Sequence, residues 1–103
     1  MNTLVIAGTV QAIEPLRYTP AGLPLLRLQL QHDSEQLEAG LNRKVQCVLP
    51  AVLIGEKARL TLQTGDQIKA KGFLSQRSAK STQVVMHIQE IQLIQQLKIL
   101  KEF

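Results

Sequence analysis

A chain of 103 residues that is 45% apolar is long enough for one hydrophobic core and too short for two. Its single cysteine, Cys47, excludes an internal disulfide framework and a cysteine-rich zinc site, and no apolar run approaches the roughly 20 residues of a bilayer span. The net charge of +4 is uneven, with −2 over residues 1–40 and +6 over residues 41–80, so the middle of the chain is its electropositive part. An amino terminus without the basic start of a secretory signal makes the cytoplasm the expected compartment.

Leu4, Ile6, Gly8 and Val10 alternate with Val5, Ala7 and Thr9, which predicts a first strand over about residues 3–13. Pro15, Pro20, Gly22 and Pro24 then remove backbone donors and supply a turn, so residues 14–24 read as a loop. Leu26, Leu28 and Leu30 alternate with Arg27, Gln29 and Gln31 in a half-buried second strand. The acidic run from His32 to Gly40 reads as a loop with room for one helical turn. A third strand places Val45, Cys47 and Leu49 on one face and Lys44, Gln46 and Val48 on the other. Cys47 is expected in the core, and Pro50 should end regular pairing or mark an edge. Residues 51–64 are too apolar for a free loop and should cover the core, with a helical turn near Glu56 to Leu60.

The fourth strand is the most informative. Lys69, Lys71, Phe73, Ser75 and Arg77 share one face, while Ile68, Ala70, Gly72 and Leu74 share the other. A cationic track with a ring suits single-stranded nucleic acid, because charges neutralise phosphates while a ring stacks on a base. Phe73 equally suits packing under a cap or in a dimer interface. Residues 75–83 read as a polar, basic loop. In the last strand, Val84, Met86 and Ile88 hold one phase and Ile91 and Leu93 the other, which predicts a bulge between Ile88 and Ile91. Residues 95–103 read as a short helical or irregular tail to a single domain spanning 1–94.

Five strands with a cap between the third and fourth describe an all-β, five-stranded OB-fold Greek-key barrel, whose second and third strands and adjoining loops commonly form a ligand surface. The core should include Ile6, Val10, Leu28, Leu30, Cys47, Ile68, Ala70, Leu74 and Val84. The ordered words Leu4-Val-Ile-Ala-Gly-Thr-Val10, Pro15-Leu-Arg17, Thr19-Pro-Ala-Gly-Leu-Pro24, Gln31-His32, Glu38-Ala-Gly40, Cys47-Val-Leu-Pro50, Gly72-Phe73-Leu74 and Met86-His-Ile-Gln-Glu-Ile-Gln-Leu-Ile94 closely resemble the bacterial primosomal replication protein N family, PriB. That resemblance covers about residues 3–94. It implies a non-enzymatic, homodimeric protein that binds single-stranded DNA and joins the helicase PriA and a DnaT-like protein in replication restart.

Carried over by position, the resemblance places the DNA surface at Tyr18, at Leu41, Arg43 and Gln46 around the third strand, and in the loop from Arg77 to Lys80. Leu41 and Gln46 stand where the resemblance leads one to expect aromatic residues. The basic loop is also shorter than that of the family, holding only Arg77 and Lys80 as cations. With Arg17, Arg27, Lys44, Lys69, Lys71 and Phe73 from charge and alternation, these residues form the candidate interface. A protein-interaction adaptor on the same fold, with weak or lost DNA binding, is the alternative; the missing aromatics favour it and the retained cations oppose it. His32 and His87 have no Cys, Asp or Glu at recognised ligand spacing, so no metal or other cofactor is expected.

Overall fold

The computed structural model describes residues 1–95, so the expected tail lies outside the described residues apart from its first position. In chain order the elements are β1 (Leu4–Ile13), the short β2 (Arg17–Tyr18), β3 (Pro24–Glu38), β4 (Leu41–Ile54), a 3-10 helix (Glu56–Arg59), β5 (Gln67–Gln76) and β6 (Val84–Gln95). The five long strands close into a barrel because β1 pairs twice. Residues Leu4 to Thr9 run antiparallel to β5, and residues Thr9 to Ile13 run antiparallel to β3. A register shift between Val10 and Ala12 bends β1 as it changes partners. Antiparallel β3–β4 and β5–β6 pairs and a short parallel β4–β6 pairing complete the circuit.

Period-2 alternation turns Leu26, Leu28 and Leu30 of β3, Ala51 and Leu53 of β4, Ile68 and Ala70 of β5, and Met86 and Ile88 of β6 into one buried core with Val10. Ile6 and Leu74 pack half-buried against it, and Ala58 of the 3-10 helix closes one end. The bulge in the last strand is where the phase change predicts it. Ile88 pairs with Gly72 and Glu90 with Lys71, leaving Gln89 as the extra residue.

Two core expectations fail for one reason. Cys47 and Val84 have inward parity, but both lie beyond the end of the barrel, where an inward face has nothing to cover it, and both are exposed. The acidic run is also not a loop. Residues His32 to Glu38 continue β3 and pair residue by residue with Leu41 to Cys47 of β4, extending the hairpin past the barrel as a two-stranded arm. Low strand propensity at Asp33, Ser34 and Glu35 is overridden because β4 supplies partners for their backbone groups. The arm turns through Ala39 and Gly40 with φ of 52° and 78°, the left-handed pair that a two-residue hairpin loop demands. Pro50 does not end its strand either. It sits opposite Gln29 where β4 is still an edge, since β6 joins only at Ala51, and an edge tolerates a missing N–H.

Candidate nucleic-acid interface

The β1–β3 connection is built on local turn chemistry. Thr19 accepts through Oγ1 from the Leu23 amide at 3.1 Å, and its carbonyl accepts from Gly22. This turn aligns Arg17 and Tyr18 against Leu25 and Pro24 of β3. The Tyr18 ring is 57% exposed at the rim. Arg59 of the 3-10 helix reaches it from beneath, with its guanidinium carbon 5.6 Å from the ring centroid and Nη1 donating to the phenol oxygen at 3.3 Å. Arg59 is absent from the sequence-derived set, and no local signal could have found it, because the contact exists only once the barrel closes.

A narrow groove of about 80 Å³ at the barrel surface, floored by Leu28 and Ala51, gathers the second cationic pair. Glu14, Arg27, Gln29, Pro50, Arg77 and Gln83 line it, so the β1–β3 loop, the β3–β4 face and the β5–β6 loop meet at one place. Arg77 is held at its mouth because its amide donates to the Gln83 carbonyl at 2.9 Å, closing the β5–β6 loop that also carries Lys80. Arg17 is drawn toward Glu14 at 3.6 Å, an exposed pair that leaves it free to exchange partners.

Alternation along the arm divides the third-strand candidates. Lys44 and Gln46 face the same way as Arg27 and Gln29, so they prolong the groove's face outward. Leu41 and Arg43 take the opposite face, and Arg43 is paired with Glu38 at 2.9 Å. Lys69, Lys71 and Phe73 do share one outward face of β5, but that track is not bare. Lys71 lies 3.9 Å from Glu90, and Phe73 is stacked on His87 with centroids 4.9 Å apart and planes inclined by 8°. The twelve candidates therefore form three neighbourhoods: the rim and groove, the arm, and the β5 face.

The fold has counterparts among known proteins. Residues 2–90 match the model of a family described as "Another single-strand binding protein family". The replication restart protein PriB of Bordetella pertussis is 40% identical over 92 residues, covering 87% of this chain and 86% of the relative. The chain belongs to the PriB branch of the single-strand binding proteins. That family is non-enzymatic. PriB of Neisseria meningitidis serogroup B is 37% identical over 92 residues, covering 88% of this chain and 92% of its own. The solved PriB of Ralstonia solanacearum superposes with a TM-score of 0.82 at 28% identity, over 92% of this chain and 99% of that one. The single-stranded DNA binding protein of Thermus aquaticus reaches a TM-score of 0.74 at 26% identity, with 95% of this chain matching 52% of the longer protein. These PriB relatives and the shared barrel agree with the fold and family expected from the sequence.

Proposed function

We propose that this chain binds single-stranded DNA along the Arg27–Arg77 groove and the adjoining rim, as a homodimer, and holds that strand for a PriA helicase and a DnaT-like protein during replication restart. The observation that carries the reading is the convergence of Arg27 from β3 and Arg77 from the β5–β6 loop onto one groove, with Tyr18 exposed at the rim. Cations at the groove meet phosphates, and the ring at the rim takes a base. Membership of the PriB branch supports the ligand, and the cytoplasm is where such a protein would act. Among the described residues, no helix is long and apolar enough to cross a membrane.

Homodimer formation is supported by β1. Its edge over Leu4 to Gly8 that faces away from β5 has no strand partner among the described residues, and Val5 there is 52% exposed. An unpaired edge invites a second copy across a two-fold axis.

The test is a salt titration of oligonucleotide binding. Single strands should bind better than duplex, and the logarithm of affinity should fall linearly with the logarithm of salt. Replacing Arg27 and Arg77 together by Ala should lower both the affinity and the slope. Unchanged binding by that double variant would remove the reading.

The arm favours a second use of the same protein. Leu37 and Leu41 are 74% and 72% exposed at its tip, and an isolated two-stranded ribbon gains little from its own packing. An apolar tip of this kind fits protein contact, so loss of a protein partner on Leu37→Ser and Leu41→Ser, with DNA binding retained, would assign the arm to the adaptor role.

A further inference from the structure

Four residues from four strands lie side by side across the outer face of the barrel. Arg27 of β3 is opposite Val52 of β4, Val52 is opposite His87 of β6, and His87 is opposite Phe73 of β5. Their chain neighbours Leu26, Leu53, Met86 and Ile88 are core residues and Leu74, next to Phe73, packs against that core, so alternation turns all four outward. With strands roughly 4.8 Å apart, the row from Arg27 to Phe73 spans about 15 Å. That distance is several times the roughly 3.4 Å rise per nucleotide of a stacked strand.

The far end of this row is a built feature. The Phe73 and His87 rings are stacked, Val52 beside them is buried, and a cleft of about 500 Å³ opens against them, bounded by Ile54, Glu56 and Lys57. Gly72 holds the two strands in place, because a Cβ there would lie 1.8 Å from the His87 carbonyl oxygen. No other residue permits that approach. Lys57 is anchored over the cleft by donating to the carbonyl of Gln89, the bulged residue. His32 uses both ring nitrogens, toward the Ala7 carbonyl and Ser34 Oγ, whereas the His87 ring is engaged by its stack on Phe73.

We propose that the Phe73–His87 pair is a base-binding platform, and that a single strand lying in the Arg27–Arg77 groove passes across β4 to reach it. The proposal rests on the function proposed above. The class of ligand is a nucleobase rather than a phosphate, since the half-buried rings and the exposed Ile54 offer an apolar surface and the Glu56 carboxylate lines the same cleft. Glu56 is drawn toward Arg59 at 3.6 Å, which leaves Lys57 as the cation nearest the strand's backbone.

The experiment compares labelled oligothymidylates of about four and about fifteen nucleotides, the limits of what one barrel of this kind commonly covers. His87→Ala should weaken the longer oligonucleotide about ten-fold and leave the shorter one unchanged, while His87→Phe, which keeps a ring, should retain parental affinity for both. Thermal melting checks that each variant is folded. Independently of any variant, the ring-proton resonances of Phe73 and His87 in the unaltered protein should move on saturation with the longer oligonucleotide and stay in place with the shorter. Parental affinity of His87→Ala for both lengths, or unmoved ring resonances at saturation, would overturn the platform. So would loss of a protein partner alone. If instead the Arg27 and Arg77 double variant binds as the parent does, the groove reading fails, and the two failures are told apart.

Discussion

Tyr18 and Arg59 are 41 positions apart in the chain and share one contact at the barrel rim, where the guanidinium lies under the ring and donates to its hydroxyl. The ring is thereby held with a cation at its inner face, while its outer side remains open to solvent. Arg59 supports the ring and, in the proposed binding mode, would also place a charge beside the bound backbone.

Those purposes separate in binding measurements. Tyr18→Ala should weaken single-stranded DNA about ten-fold with no change in salt slope, because a ring releases no counterions. Tyr18→Phe should cost far less, since only the 3.3 Å hydrogen bond is lost. Arg59→Ala should lower both affinity and slope, the latter by about one unit. Fluorescence anisotropy across a salt series reads all three.

Gly72→Ala should be severely destabilising. The added methyl would meet the His87 carbonyl at 1.8 Å, and both groups are backbone-bound, so β5 and β6 must part. A cost of about 3 kcal/mol is expected, corresponding to a fall in melting temperature on the order of 12 to 24 °C for a domain of this size. Gly8→Ala offers the milder comparison, since its nearest contact is the Gln31 carbonyl at 2.8 Å. Differential scanning calorimetry of the two variants should rank them in that order.

Ala39 lies at φ 52°, a conformation that costs an alanine roughly 1 kcal/mol. Ala39→Asn and Ala39→Gly should therefore stabilise the arm by up to about that amount. Slower hydrogen exchange at arm amides such as those of Gln36 and Arg43 is the readout. Exchange unchanged in both variants would mean that the turn does not limit opening of the arm.

His32 donates from Nδ1 to the Ala7 carbonyl at 2.7 Å, so the backbone groups of Ala7, and by alternation those of Val5, point away from β5. Val5→Pro should then remove a donor from the open edge without touching the β5 ladder. Sedimentation at micromolar concentration should show a dimer for the parent and a monomer for this variant, with the melting transition still cooperative. A parent that sediments as a monomer would exclude the edge-paired dimer.

The barrel portions of the strands, the inward leucines of β3, the cap and the bulge at Gln89 were legible in residue order, because each is written in local alternation or its interruption. The arm was not legible. Asp33, Ser34 and Glu35 carry the chemistry of a loop, and only the paired strand opposite them makes extension favourable. Cys47 shows the same limit from another side, since alternation assigns a side chain to a face but does not say where along the strand that face stops being covered.

By itself the sequence determined which residues share a face, where the barrel portions of the strands lie, and that the cations concentrate in the middle of the chain, since these follow from spacing and composition. Tertiary structure alone decided which faces meet. Arg27 and Arg77 line one groove and Tyr18 rests on Arg59 only because closing the barrel brings together segments distant in sequence, whereas Phe73 meets His87 across the β5–β6 hairpin. That closure depends on β1 changing partners at its bulge and on Gly72 admitting the His87 carbonyl, and both are long-range backbone contacts that no local window of residues contains.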